Sequence, residues 1–206
     1  MAPRVATQLE SWDEEAADDV EIDQTQIADT DFSDVTRLIA TGSTFKQVLI
    51  TGVNLDKCDC TDVEFGRLEA AGLRTYKARF QRVTFTDCRL TGADFAEAIF
   101  EDCVFKNVKL DEAGFRFAKF TRVRFEDCML SATDFSSARF AQVMFTSCNL
   151  EGTNFDAAQC ANTDISSEDI TNVRGILGLK GATISPEQLV QIAPLLAAEL
   201  GFQIAP

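Results

Sequence analysis

No histidine occurs anywhere in the 206 residues. That absence removes the usual base of Ser-His and Cys-His nucleophilic catalysis, and with it any mixed Cys/His zinc site. Proline is limited to four residues, and tryptophan and tyrosine to one each. Neither glycine-rich phosphate pattern, G-x-x-x-x-G-K-[ST] or G-x-G-x-x-G, is present. No apolar stretch approaches the ~18 residues a membrane helix needs, and no N-terminal apolar run resembles a secretory leader. Positive charge is in deficit as well: 19 Lys and Arg face 33 Asp and Glu, a formal charge of −14. A chain so acidic repels nucleic acid at long range. The expectation is a cytoplasmic, non-catalytic protein with no cofactor, metal, membrane, direct nucleic-acid or small-molecule partner.

Phenylalanine is present in excess, at seventeen residues, and it is placed periodically. A large apolar residue falls on every fifth position: Leu90, Phe95, Phe100, Phe105, Leu110, Phe115, Phe120, Phe125, Leu130, Phe135, Phe140, Phe145, Leu150, Phe155. The quartet Leu-Phe-Phe-Phe therefore recurs every twenty. Two residues before each stands a compact one, such as Cys88, Ala93, Ala98, Cys103 and Val108. Five fits neither the 3.6 period of a helix nor the 2.0 of a strand. It fits a chain that turns a corner every five residues, with one large and one small side chain inward and three outward. Four corners close a square coil, and coils stack at about 4.8 Å. Such a solenoid buries its core only against neighbouring coils.

The units Thr91-Gly-Ala-Asp-Phe95, Ser131-Ala-Thr-Asp-Phe135 and Glu151-Gly-Thr-Asn-Phe155 resemble the A-(D/N)-(L/F)-x-x unit of pentapeptide-repeat proteins. The resemblance covers roughly Phe45 to Ile165 and implies an all-β solenoid, a right-handed quadrilateral pentapeptide-repeat β-helix. It also implies a range of functions, of which DNA mimicry at the DNA site of gyrase is the most specific. Members that confer quinolone resistance often carry loops that interrupt the coils. The unbroken frame here has none.

In chain order, residues 1–20 are acidic and aperiodic, with five acids between Asp13 and Asp19, and are expected to form a solvated, unordered tail. The β-helix is expected over 21–184, with Phe32 and Val35 in an irregular opening coil and regular coils over about 43–170. The large column weakens at Ala70 and Thr75, which predicts a locally loosened coil. Glu168 falls on an inward position it fits poorly. After a turn-rich exit with Gly175, Gly178 and Gly181, residues 185–201 read as a short α-helix: Ser185 as N-cap, Pro186 at the first helical position, Gly201 as the stop. Pro194 should kink or split it. Leu189, Ile192, Leu195, Leu196 and Leu200 supply an apolar stripe that suits either a lid on the solenoid end or a homodimer interface. DNA-mimicking members of the family dimerise through a C-terminal element of this kind.

All seven cysteines fall on inward positions, Cys58, Cys88, Cys103, Cys128 and Cys148 on the small one and Cys60 and Cys160 on the large. Core packing is the expectation. Outward charge is uneven. Residues 1–40 hold two bases and eleven acids, 41–170 amount to −5, and 171–206 balance. Around Phe80, Phe100, Phe120 and Phe140 the outward residues alternate in sign from coil to coil: Asp59/Asp62, Arg79/Arg82, Glu101/Asp102, Lys119/Arg122, Arg139. The opposite side carries Asp94, Glu97, Asp111, Glu112, Asp134, Glu151, Asp156 and Asp169 against Lys109 and Arg116, with Phe117 pointing outward among them. This acidic side is the candidate partner-binding surface. Two readings stand: a DNA-mimic modulator of a type II topoisomerase such as gyrase, or an interaction rod with another protein partner. Asp94 and Asp134 also sit where Asp commonly bonds turn backbone.

Overall fold

The computed structural model describes residues 2–5, 10–11, 19–29, 35–166 and 168–203. The chain winds into stacked four-sided coils, and every strand pairing among the described residues is parallel. On one face Ile22, Ala40, Cys60, Phe80, Phe100, Phe120, Phe140 and Cys160 lie in register, one per coil. From Ala40 onward the partners are twenty residues apart, as the period requires. The first step, Ile22 to Ala40, is shorter by two. Val35 is buried in this opening coil, whereas Phe32 lies outside the described residues. Within the N-terminal twenty, Glu10–Ser11 pair with Thr25 and Gln26, and a strand begins at Asp19. The backbone N–H of Arg4 donates to Asp62 Oδ1 at 2.8 Å.

The corners explain the period. At each, the second residue after the large one adopts a left-handed conformation, as at Asp102 (φ 56°), Asn107 (52°), Glu112 (59°) and Phe117 (59°). An L-residue there costs about 1–2 kcal/mol. The cost is offset because the turned amide points along the axis: Asp102 N–H donates to the Thr121 carbonyl at 3.0 Å and Asn107 N–H to that of Glu126 at 2.9 Å. The compact residue before each large one lets the backbone close over it. On two of the four faces it also donates back across a turn, as Ala98 does to Phe95 at 3.1 Å. Thr133 and Thr153 take the same inward place by donating their hydroxyls to the Leu110 and Leu130 carbonyls, both at 2.8 Å.

Inside, the phenylalanines form three columns. Phe85, Phe105 and Phe125 stack at 4.8 Å between centroids with rings within 9° of parallel. Phe80, Phe100 and Phe120 do likewise at 4.9 and 5.1 Å. Neighbouring columns meet edge-to-face, as Phe95 meets Phe100 at 63°. Each ring thus presents its face along the axis and its edge across it, the two arrangements its quadrupole favours. Burying one such ring contributes up to about 3 kcal/mol.

The predicted weakness at Ala70 and Thr75 is not a loosened coil. Their preceding small positions hold Leu68 and Leu73, both buried, so large and small have exchanged places and volume is nearly conserved. A void of about 20 Å³ remains beside Leu73, Thr75 and Cys60. The backbone runs on without a break: Asp59–Gly66 and Arg79–Thr86 are continuous eight-residue strands, paired through the corner at Val63 and Val83.

At the C-terminal end a 3-10 turn, Ile176–Leu179, presses onto the last coil. A Cβ on Gly178 would collide with the Phe155 carbonyl oxygen, which makes glycine obligatory there. The helix spans Pro186–Glu199. Ser185 and Gln188 close a capping box: Gln188 N–H donates to Ser185 Oγ at 3.2 Å and Ser185 N–H to Gln188 Oε1 at 2.6 Å. Pro194 lies inside one continuous helix rather than between two short ones.

Candidate interaction surface

Of the outward charges on the Phe100 side, the corner stack of Asp62, Arg82, Asp102 and Arg122 is internally paired. Arg82 forms a two-pronged pair with Asp62, both contacts at 2.7 Å. Two coils on, Arg122 donates to Asp102 and Glu101, also at 2.7 Å. Hydrogen bonds from these guanidinium groups hold the Asp62 and Asp102 carboxyls below the ordinary range. The coil spacing of about 4.8 Å places a cation directly over an anion.

The opposite side is not uniform. Asp94 Oδ1 accepts the Ala96 N–H at 3.0 Å, and Asp134 Oδ1 accepts the Ser136 N–H and the Asn154 side-chain amide, both at 3.0 Å. Asp169 accepts both the N–H and the hydroxyl of Thr171, and the hydroxyl bond lowers its pKa. These three acids fasten turns. Glu97 accepts the Tyr76 hydroxyl at 2.8 Å and pairs with Lys77 at 3.4 Å. The carboxylates of Asp111, Glu112, Glu151 and Asp156 carry no hydrogen bond or ion pair among the described residues. A polar hollow of about 380 Å³ opens at the end of this side between Asn149, Glu151, Asp169 and Asn172. Arg174, whose Nε donates to the Gly152 carbonyl, adds a base beyond the segment the sequence count covered. Phe117 has one of the acids, Glu97, at the same corner of the coil below and cations on its other flank. It stands on the edge between the two sides, 59% exposed, in a shallow hollow shared with Glu97, Lys119, Ser137 and Arg139.

The helix stripe is divided. Ile192 is buried at 3% exposure, Leu195 and Leu196 are half-buried against the core, and Leu189 and Leu200 face outward. Ile192 therefore belongs to the lid and not to an outer interface. Leu189, Val190, Leu200 and Phe202 form the exposed margin. Between the helix and the exit coil runs an apolar groove of about 430 Å³ lined by Ile170, Leu177, Leu179, Ile184, Ile192 and Leu196. The lid is fastened by polar groups that sequence reasoning did not foresee. Glu168 is buried and its Oε2 accepts the Cys148 N–H at 2.6 Å, while Gln188 Nε2 donates to the carbonyls of Ile165 (2.7 Å) and Glu168 (2.6 Å). The Ser185-x-x-Gln188 spacing was the available signal.

The cysteine thiols are free, and all but the half-buried Cys160 are buried. Burial pushes Cys103 up to about 12 and Cys88 and Cys160 to about 11, so none of these three is a thiolate near neutrality. Sulfur donates to backbone carbonyls, as Cys128 Sγ does to Phe105 at 3.4 Å. No cluster of three potential metal ligands occurs among the described residues, and no helix among them is long and apolar enough to cross a membrane.

A filled, four-sided parallel solenoid with a left-handed corner every five residues defines a class of repeat protein. The family model of the pentapeptide repeat region matches residues 38–115, 78–155 and 98–174, most of the chain, and the protein belongs to the pentapeptide-repeat family of right-handed quadrilateral β-helices. Among solved structures, a trypsin-treated variant of QnrB1, a plasmid-mediated fluoroquinolone resistance protein, aligns over 87% of this chain and 97% of its own at TM-score 0.53 and 16% identity. HetL, involved in heterocyst differentiation regulation in the cyanobacterium Nostoc sp. strain PCC 7120, aligns over 80% and 89% at TM-score 0.46 and 13% identity. A pentapeptide repeat protein of the Arabidopsis thaliana thylakoid lumen aligns over 46% and 66% at TM-score 0.43 and 20% identity. These likenesses concern the fold. Among curated proteins none matches the chain by sequence.

Proposed function

We propose that the protein acts without catalysis, as a rod that presents its acidic side to a protein whose own ligand is DNA, with a type II topoisomerase such as gyrase as the specific target. The observation that carries this reading is the segregation of charge. On one side Asp62, Glu101 and Asp102 are paired with Arg82 and Arg122, whereas on the other Asp111, Glu112, Glu151 and Asp156 are, among the described residues, unpaired on a convex surface. Unpaired carboxylates on a rigid scaffold are pre-organised to meet the cations of a DNA-binding surface, with little ordering left to do on binding. A second copy of the chain, docked on the exposed margin of Leu189, Val190, Leu200 and Phe202, would carry two acidic sides across a two-fold axis.

The test is a gyrase supercoiling assay with the protein titrated in, beside a variant in which Asp111, Glu112, Glu151 and Asp156 are changed to Lys. The parent inhibits in the micromolar range, about −8 kcal/mol of binding, and the variant does not. A Leu200→Glu variant, monomeric by light scattering, inhibits more weakly. No inhibition by the parent at tens of micromolar, roughly −6 to −7 kcal/mol, sinks the topoisomerase reading and leaves an interaction rod for another protein. The exposed ring of Phe117, which DNA has nothing to match, favours that alternative.

A further inference from the structure

The edge that carries Phe117 has a charge pattern of its own. Arg79, Ile99, Lys119 and Arg139 are consecutive rungs of one in-register parallel ladder, all facing outward. Lys119 and Arg139 are therefore like charges on directly adjacent strands, an arrangement that disfavours the sheet. One corner away, Arg82 and Arg122 occupy an equivalent stack and each is answered by a carboxylate from the coil below. Arg79 has Asp59 in register on the coil below, whereas Lys119, Arg139 and the nearby Arg116 form no ion pair among the described residues. Glu97, the one acid in the hollow, is already held by Lys77 and Tyr76.

Phe117 stands in the middle of this group. Of the described non-glycine residues at left-handed corners it alone is aromatic or large and apolar; the rest are Asp, Asn, Gln, Glu, Ser, Ala, Lys and Arg. Ile99, also exposed, extends its apolar surface one coil down. The Phe117 N–H donates to the Ser136 carbonyl at 3.1 Å, as the turned amide does at other corners, but among the described residues no carboxylate pairs with the adjacent cations.

We infer that the edge formed by Phe117, Ile99, Arg116, Lys119 and Arg139 is a second interaction surface, distinct from the acidic side, and that it takes an acidic protein segment carrying an aromatic or large apolar residue. The cations accept carboxylates from the segment and the Phe117 ring packs on its apolar residue. A short acidic segment fits better than a nucleic acid. The chain's overall charge of −14 repels a long polyanion over its whole length, but a short segment only where it touches.

The probe is the fluorescein-labelled peptide Asp-Glu-Trp-Glu-Asp, titrated with the intact protein by fluorescence anisotropy at low and at physiological salt. Saturable binding is expected. It falls about tenfold in Phe117→Ala and is lost in the double variant Lys119→Glu, Arg139→Glu. Lys106→Glu, a charge change of the same kind on another face, leaves it unaltered. Circular dichroism and melting of each variant confirm that the coils are intact. Absence of binding by the parent, binding that survives both edge variants, or tighter binding of a single-stranded oligonucleotide of equal charge overturns the inference. None of these outcomes bears on the supercoiling assay, which reads the other side of the rod.

Discussion

The middle coils and the C-terminal exit close the same core by opposite means. Between Phe80 and Phe145 each coil meets a copy of itself, and stacked identical rings seal the interior with no side-chain acid or amide inside. At the exit no copy remains to stack upon. The core ends there on a buried carboxylate, Glu168, and a buried amide, Gln188, under a helix whose one deeply buried apolar residue is Ile192. Repetition stabilises through area and shape; termination needs directed bonds, because an open end exposes strand carbonyls and amides that an apolar lid cannot satisfy.

Three changes would break or sharpen this contrast. The largest effect belongs to the middle: Phe115→Ala removes a ring stacked on Phe95 and Phe135 and should cost about 3–5 kcal/mol in urea unfolding. Cooperative loss of coils on both sides is the expected behaviour, since each is stable only against its neighbour. Next is Gln188→Ala, which strips the donor from two buried carbonyls at a cost of about 1–3 kcal/mol. Amide exchange should then accelerate over residues 163–203 and stay unchanged between 80 and 145. Uniform acceleration would mean that the end and the middle are one cooperative unit.

The smallest is Arg82→Ala. The guanidinium holds the Asp62 carboxyl below its ordinary 3.8, so the pair contributes above that value and its contribution fades as pH falls through the depressed one. The variant should thus be less stable than the parent at pH 7, with the gap closing below about pH 4. A gap that persists in acid would assign the loss to packing of the arginine stem.

The fold was legible because one periodicity fixes everything about it: the position of Phe100 in its unit dictates its face, its neighbours in the column and its corner. Departures were harder to read. Ala70 looks like a gap until Leu68 is seen to fill the space from the adjoining position. Glu168 looks misplaced because its partner, the Cys148 amide, is twenty residues away on the coil below. The candidate surface was legible only in outline. Sequence placed Asp94 and Asp134 on the acidic side, but whether a carboxylate fastens its own turn or faces outward free depends on the residue two positions on and on the coil above. Phe117 reads from its face as standing outward amid the acids; its hollow holds one of them, Glu97 of the coil below, together with Lys119 and, from the coil above, Arg139.

The sign alternation of the ladder has a consequence for how this rod can change length. Backbone and core repeat every twenty residues, but Asp62, Arg82, Asp102 and Arg122 repeat every forty. Removing one coil would rejoin the phenylalanine columns perfectly and set Asp over Asp or Arg over Arg on the outside. Removing two would restore both. The core therefore counts in single coils while the surface counts in pairs, and the natural increment of the molecule is a step of about 10 Å.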